Sequence, residues 1–207
     1  MSIDRARADC QRDAMKGSAS DPRREAILQA AWQAFAAYGY RKTSMDDIAR
    51  GAGVSRPALY LHYRNKDDIF RSLAQQYYDR AAEAVDLALQ ADGSVPEVLA
   101  AAFAAQGGAL MQAMLTSPHG IELLDAGNAT AADITAAGEA RLVEVYAGWL
   151  AGQAAAGRIA LAESPTEVAA TLTAALKGIK SAVPEYDAYT RRVAQLATLL
   201  GAGLAAG

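Results

Sequence analysis

The stretch TSMDDIARGAGVSRPALYLHYRNK, residues 43–66, decides the fold because it contains the start and stop signals of two short helices. Thr43 or Ser44 can cap the first helix, and the carboxylates that follow favour the positive end of its dipole. Gly53 allows a tight turn, and Ser55 can cap a second helix with proline in its first turn. Two short helices joined by a glycine turn are typical of a helix-turn-helix, whose second helix enters the major groove of DNA.

The exposed positions of the second helix carry side chains suited to that groove. The Arg56 guanidinium can donate two hydrogen bonds to guanine O6 and N7, and Pro57 and Ala58 offer apolar contact to a thymine methyl group. Three further side chains are spaced to reach phosphates: Tyr60, His62 and Lys66. Lys66 also stands at the N-terminus of the next helix, where backbone N–H groups attract anions.

Each phosphate candidate also has an ordinary structural interpretation. His62 taken alone is a surface histidine, and Lys66 taken alone is a solvated charge. Tyr60 can pack its ring in the core and expose only its hydroxyl. The functional interpretation depends on the register that places all of them at one end of the same motif.

Helix signals continue on both sides of the motif. Asp21-Pro22 begins a helix that Gly39 ends, and Asn65 caps a long fourth helix that runs to about residue 90. Five further helices are predicted at 95–116, 118–125, 129–156, 165–182 and 186–204. No β-type alternation appears, so the predicted fold is all-α, with about nine helices: a three-helix helix-turn-helix head and a helical-bundle body.

The chain divides into three predicted segments. Residues 1–20 lack periodic apolar positions and end in Gly-Ser-Ala-Ser, which indicates a disordered extension. The head is assigned to residues 21–64 and the body to residues 65–207. Lys and Arg exceed Asp and Glu by 13 to 9 in residues 1–71, a net charge of +4, whereas residues 72–207 hold 7 against 14, a net charge of −7. A basic head on an acidic body suits contact with a polyanion.

Several classes of protein are disfavoured by composition. Cys10 is the only cysteine, so an intrachain disulfide and a thiolate metal site are excluded. No uninterrupted apolar stretch approaches the roughly 20 residues of a membrane-spanning helix, and the first residues are too polar for a signal peptide. We therefore expect a cytoplasmic protein that does not contact a membrane.

The sequence AILQAAWQAFAAYGYRKTSMDDIARGAGVSRPALYLHYRNKDDIF, residues 26–70, resembles the N-terminal domain of the TetR (tetracycline-repressor) family. The resemblance implies a dimeric regulator of transcription that binds double-stranded DNA. It implies DNA contacts at the start of the first motif helix and along the second: Thr43, Ser44, Ser55, Arg56, Pro57, Ala58, Tyr60, His62, Tyr63 and Lys66. Gly51 and Leu61 depart from the usual pattern, which leaves the operator sequence undetermined.

The same resemblance implies that the body binds a small inducer between its helices. The candidate lining is mostly apolar with a few polar groups, as small-molecule sites are: Phe103, Gln106, Gly107, Leu110, Met111, Met114, His119, Tyr146 and Trp149. A methionine and aromatic stripe at helical spacing is also what a plain core shows, and that alternative stays open for each residue.

The resemblance further implies a dimer formed by the last two helices. The candidate interface is the apolar stripe of those helices: Val168, Leu172, Ala175, Leu176, Ile179, Tyr189, Val193, Leu196 and Leu200. Alanine and glycine flanks at Ala174, Gly178, Ala197 and Gly201 favour close helix contact. These two helices can instead cover the body of a monomer.

Three hypotheses of function compete. The first is a ligand-responsive repressor, and the second is a DNA-bound regulator without an inducer. The third, an enzyme, is disfavoured because the chain has two histidines, His62 and His119, with no Glu-x-x-His pair and no Gly-rich phosphate loop. No catalytic residue, metal site or cofactor is predicted.

Overall fold

Helices begin where a polar side chain can accept a hydrogen bond from a backbone N–H that has no partner within the helix. Asp21 accepts from the N–H of Arg23, and Asn65 accepts from the N–H of Asp68. Ser44 forms a capping box, a reciprocal pair of hydrogen bonds with the third residue of its helix. The caps that the sequence indicated at residues 21, 44, 55 and 65 are therefore the caps observed.

The computed structural model describes residues 21–182 and 185–204, and the predicted extension at residues 1–20 lies outside them. Nine helices lie in the described residues: α1 Pro22–Tyr38, α2 Met45–Gly51, α3 Arg56–Tyr60, α4 Lys66–Leu89, α5 Val95–Thr116, α6 Gly120–Thr130, α7 Ala132–Ala155, α8 Pro165–Ala182 and α9 Tyr186–Leu204. The all-α fold class with its three-helix head is confirmed.

The boundaries of α6 and α7 differ from prediction. The sequence placed the break between them near residues 126–128, but Gly127 remains helical and the chain leaves helical geometry only at Ala131. Helix α6 begins at Gly120 because residues 117–119 form a turn, closed by a hydrogen bond from the Gly120 N–H to the Ser117 carbonyl. Local glycine signals therefore misplaced this break by several residues.

The hydrophobic core of the head extends past residue 64. Its buried side chains come from α1, α2 and α3, together with Ile69 and Phe70 of α4 and Leu123 of α6. The ring of Phe70 lies 5.6 Å from that of Phe35 and 5.1 Å from that of Tyr40. The first turns of α4 are thus structural members of the head.

The core of the body is formed by α4, α5, α7, α8 and α9. Helix α4 contributes Tyr78 and Val85 to it, so this one helix belongs to both cores. Helices α5 and α9 approach closely because Gly201 has no side chain: a Cβ there would lie 2.5 Å from Pro96. The packing of α4 against both cores makes it the direct connection between head and body.

Helix α5 is bent in its middle. Gly108 has φ 58° and ψ −170°, a left-handed backbone conformation that interrupts the helix. By length and composition α5 could cross a membrane, although Glu97, Gln106 and Gln112 interrupt its apolar residues. Leu99, Ala102 and Phe103 of this helix are buried against neighbouring helices, so its apolar character is that of a core helix.

Candidate functional site

Helices α2 and α3 are held at a fixed angle by buried side chains and one tight turn. Ile48, Ala49 and Leu59 are buried between the helices. Gly53 has φ 65°, and the N–H of Val54 donates to the carbonyl of Ala49 across the turn. This is the helix-turn-helix geometry predicted from the sequence.

Arg56 lies on the open face of α3. Its guanidinium donates to Asp46 at 3.0 Å and lies 5.6 Å from the centroid of the Tyr60 ring. The Tyr60 hydroxyl and the Asp46 carboxylate raise the pKa of Arg56. Pro57 is exposed beside it and Ala58 is half-buried, so the predicted base-contacting residues share one accessible edge.

The remaining polar candidates near α3 are placed differently from one another. Tyr60 and Ser55 are exposed, and the Ser55 hydroxyl accepts from the N–H of Ala58. His62 is half-buried, with its Nδ1 3.8 Å from the Asp21 carboxylate. Ser44 is exposed, but its hydroxyl and its backbone N–H both donate to the Asp47 carboxylate, and these hydrogen bonds lower the pKa of that carboxyl.

The structure buries the side chains of two residues that were predicted to contact DNA. Thr43 is 2% exposed, and its hydroxyl lies 2.7 Å from the Gly39 carbonyl and 3.2 Å from the Ala34 carbonyl. Tyr63 is 4% exposed and packs in the head core. Neither side chain is accessible to a phosphate.

Lys66, a predicted phosphate contact, forms a structural clamp in which its ammonium binds backbone carbonyls of the protein. Its ammonium donates to the carbonyls of Tyr40 at 2.8 Å, Arg41 at 3.1 Å and Thr43 at 3.3 Å, and lies 4.6 Å from the Tyr40 ring centroid. All three N–H donors of an ammonium group are therefore used within the protein. The clamp fixes the turn that precedes α2 to the start of α4.

Lys42 is a further candidate for a phosphate contact, and the sequence motif did not identify it. It lies two residues before the α2 cap and is exposed, and no ion pair involves it within the described residues. The three carbonyls bound by Lys66 come from residues on either side of Lys42, so the clamp fixes the backbone that presents this side chain. The sequence signal for this contact is a basic residue in the exposed turn that precedes α2.

A cavity of about 690 Å³ lies in the body beside the head. Six residues predicted to line a ligand site do line it: Phe103, Gln106, Gly107, Leu110, Met111 and Met114. They come from both sides of the bend in α5, which opens the helix around the space. The wall nearest the head contains Trp32, Phe70 and Leu123, so the cavity reaches the head core.

The polar groups of the cavity come from several helices. The Tyr77 hydroxyl donates to the Gln106 carbonyl at 3.2 Å, and the Lys177 ammonium donates to Glu139 at 2.9 Å. Lys180 lies at the wall with its ammonium 5.3 Å from the Tyr77 ring centroid. The site is an apolar space with a small set of polar side chains on the side of α7 and α8.

Three predicted lining residues do not line this cavity. Tyr146 is fully buried behind it and donates to the side-chain oxygen of Gln106 at 2.9 Å, while Trp149 packs half-buried against the body core. His119 is turned toward the head, where its Nδ1 lies 3.5 Å from Glu122. Glu122 in turn accepts from the Arg41 N–H, so this pair joins α6 to the head.

The predicted dimer stripe mostly faces the protein's own core, which corrects the assignment for four of its residues. Leu172, Leu176, Tyr189 and Val193 are at most 7% exposed and belong to the body core. The others are half-buried: Val168, Ala175, Ile179, Leu196 and Leu200. The small residues were also misread in part, because Ala197 and Gly201 pack inside the protomer.

Comparison with known proteins agrees with this architecture. The family model for bacterial regulatory proteins of the tetR family matches residues 27–73. The chain is 39% identical over 70 residues to the HTH-type transcriptional activator FasR of Mycolicibacterium smegmatis, which covers 34% of this chain and 32% of FasR. The aligned part thus spans about a third of that relative.

Solved structures match over most of the chain. A transcriptional regulator from Cytophaga hutchinsonii has a TM-score of 0.75 at 18% identity, covering 89% of this chain and all of that one. SmeT, the repressor of the Stenotrophomonas maltophilia efflux pump SmeDEF, has a TM-score of 0.64 at 18% identity, covering 88% and 90%. SmeT is also known in a complex with triclosan. Among the described residues of the present chain, no group of three or more His, Cys, Asp or Glu side chains is arranged to hold a metal ion.

Proposed function

We propose that this chain is a ligand-responsive transcriptional repressor of the TetR family of bacterial regulatory proteins, whose family model matches residues 27–73. It binds a near-palindromic operator as a homodimer and is released by a small apolar or amphipathic molecule. A protein of this kind acts in the bacterial cytoplasm, where its DNA is. The named relatives regulate transcription, and we propose no catalytic role.

One observation supports this function above the others: the cavity and the head core share side chains. Phe70 and Leu123 line the cavity and also pack in the core that holds α2 and α3. A molecule that fills the cavity therefore contacts the residues that orient the head. Such a molecule shifts DNA affinity only if it binds one head orientation more tightly than the other.

The homodimer is proposed to form through the outward faces of α8 and α9. These faces are exposed and carry small or apolar side chains, among them Ala174 and Gly178 on α8 and Ala194, Leu199 and Ala202 on α9. Leu199 is 63% exposed, which is unusual for a large apolar side chain. Two heads related by a two-fold axis would place their α3 helices about 34 Å apart, one turn of DNA.

The proposal is tested by fluorescence anisotropy with the DNA upstream of the gene that encodes this chain. We expect saturable binding, a steep loss of affinity with added salt, and a complex that contains two chains. The same DNA with its half-site spacing changed by five base pairs is the control, because it turns one half-site to the opposite side of the helix. Absence of specific binding at low salt would contradict the proposal.

Arg56→Ala is expected to remove base discrimination. Without its guanidinium, α3 loses its bidentate donor to guanine, and preference at one base pair in each half-site should fall about tenfold or more. Binding-site selection from a randomised operator measures this preference. Asp46→Asn is the matched variant: it frees Arg56 from its ion pair, so specificity should be kept and affinity should rise. An unchanged base preference in Arg56→Ala would show that this residue does not contact bases.

Lys42→Ala is expected to weaken DNA binding, whereas Lys66→Met is expected to destabilise the fold. Lys42→Ala should leave the melting temperature unchanged and lower the slope of log affinity against log salt by about one phosphate contact. Lys66→Met should lower the free energy of unfolding by about 1–2 kcal/mol, since three carbonyls lose a charged donor. Thermal melting and salt titration together separate the two effects, and a stable Lys66→Met protein with a reduced salt slope would contradict the clamp.

A further inference from the structure

Lys180 is a half-buried cation in the cavity wall, and it forms no ion pair within the described residues. It lies in the last turns of α8, and its ammonium lies against the Tyr77 ring at 5.3 Å. Within the described residues no carboxylate or carbonyl accepts a hydrogen bond from it. Burial and the neighbouring Lys177 lower the pKa of Lys180 to about 8, while Glu139 opposes that shift. An ammonium that is partly withdrawn from water and has no ionic partner can stabilise a bound anion.

The other charges around the cavity do not compensate Lys180. Glu139 is the acid that raises the pKa of Lys180, but its carboxylate accepts a hydrogen bond from Lys177 at 2.9 Å. Asp125 of α6 also contributes to the wall and is exposed to solvent. The titratable and charged groups that face the cavity are Tyr77 and Tyr78 on α4, Asp125 on α6, Glu139 on α7, Lys177 and Lys180 on α8 and Tyr189 on α9. Lys177 and Glu139 pair with each other and Asp125 is exposed on another helix, so the Lys180 ammonium has no ion-pair partner among the described residues.

A second donor lies beside Lys180. The side-chain oxygen of Gln106 accepts from the Tyr146 hydroxyl at 2.9 Å, which leaves the amide N–H groups of Gln106 free to donate to the cavity. The backbone carbonyl of Gln106 accepts from the Tyr77 hydroxyl and the Lys180 ammonium lies over the Tyr77 ring, so the two residues line the same part of the cavity. An ammonium and an amide N–H that line the same cavity can donate to the two oxygens of a carboxylate.

We propose that the ligand of this cavity is an amphipathic organic carboxylate, with its anionic group on Lys180 and Gln106 and its apolar body along α5. The inference rests on the proposed function, because it names the class of molecule that occupies the same cavity. The apolar body would lie against Leu110, Met111 and Met114, and the volume of about 690 Å³ suits a small organic molecule. A cationic amphiphile would meet Lys180 with like charge and is disfavoured.

The test compares three probes with the same alkyl chain: decanoate, the neutral decanamide and the cationic decyltrimethylammonium. By isothermal titration calorimetry at pH 7, wild-type protein should bind decanoate about tenfold or more tightly than decanamide, and the cation most weakly. Lys180→Met should reduce decanoate affinity to that of decanamide without changing decanamide affinity, which reports that the cavity is intact. Lys180→Arg should retain the preference, and Arg158→Met, which removes an exposed charge outside the cavity, should match wild type.

The pH dependence gives an independent readout. The anion binds the protonated lysine, so decanoate affinity should be constant well below pH 8 and fall as pH rises through about 8. Decanamide affinity should not follow this change, and Lys180→Arg should abolish it, since arginine keeps its charge. Equal binding of decanoate and decanamide, an unaffected Lys180→Met protein, or no binding of any probe would each overturn the inference.

Operator binding measured alongside keeps this inference separate from the proposed function. Release of operator by decanoate and not by decanamide supports both. Release by both molecules equally overturns the carboxylate inference and leaves the ligand-responsive repressor standing. If decanoate binds with the expected dependence on Lys180 but operator stays bound, the carboxylate site is supported and the proposed coupling of cavity to head is contradicted.

Discussion

Replacement of Leu59 by alanine is expected to lower the free energy of unfolding by about 2–5 kcal/mol. Leu59 is fully buried where α3 packs on α1 and α2, and the head core is too small to collapse around the lost atoms. The helix-turn-helix angle depends on this side chain, so operator affinity should fall with stability. Urea denaturation monitored by circular dichroism measures the change.

Leu61→Ala is the matched control for this prediction. The same substitution is made two residues away, but Leu61 is 86% exposed, so stability should stay within about 0.5 kcal/mol of wild type. If both variants lost equal stability, the assignment of Leu59 to the core and of Leu61 to the surface would be wrong.

Replacement of Gly138 by leucine is expected to cost about 3 kcal/mol or more, because α7 lies against α4 at this residue. A Cβ added at Gly138 would overlap the ring and the Cβ of Tyr78, and Tyr78 is itself buried in the body core. The helices must separate, which also displaces the wall of the cavity. Thermal melting should show a large loss, and decanoate binding should weaken with it.

Gly148→Leu provides the opposite result on the same helix. No atom lies within 4 Å of a Cβ built at Gly148, and the residue is exposed. Leucine is a better helix former than glycine, so this variant should gain about 0.5–1 kcal/mol. Opposite signs for the two substitutions would establish that α4–α7 contact, rather than helix propensity, controls the cost at Gly138. Equal effects at both positions would refute that contact.

The head could be predicted closely from the sequence because its signals are local. Ser44, Ser55 and Asn65 each cap the helix that begins at the next residue. Gly53, with its positive φ, forms the turn between α2 and α3. Such interactions depend only on near neighbours in the chain. The helix bounds of the motif follow from them without knowledge of the tertiary structure.

The roles of Thr43, Tyr63 and Lys66 could not be predicted in the same way. Their partners are set by tertiary contacts: Thr43 with a carbonyl of α1, Tyr63 with the head core, and Lys66 with carbonyls 23 to 26 residues earlier. A motif records which residue types occur at which spacing. It does not record whether a polar side chain is already satisfied inside the protein.

The body shows a second limit of sequence patterns. Periodicity correctly identified the cavity-facing side of α5 and the apolar stripes of α8 and α9. It could not distinguish a stripe that packs inside the protomer from one that packs on a partner, because both are apolar at the same spacing. Leu172 and Val193 are buried inside the protomer, whereas Leu199 is exposed, as a residue that packs on a partner would be.

The side chains that α4 and α6 place in the head core also determine how the protein unfolds. A fragment that ended at residue 64 would lack Ile69, Phe70 and Leu123, so its remaining helices would have no closed core. We therefore expect head and body to melt in one cooperative transition. A molecule held in the cavity would consequently slow hydrogen exchange at the amides of α2 and α3, which it never touches.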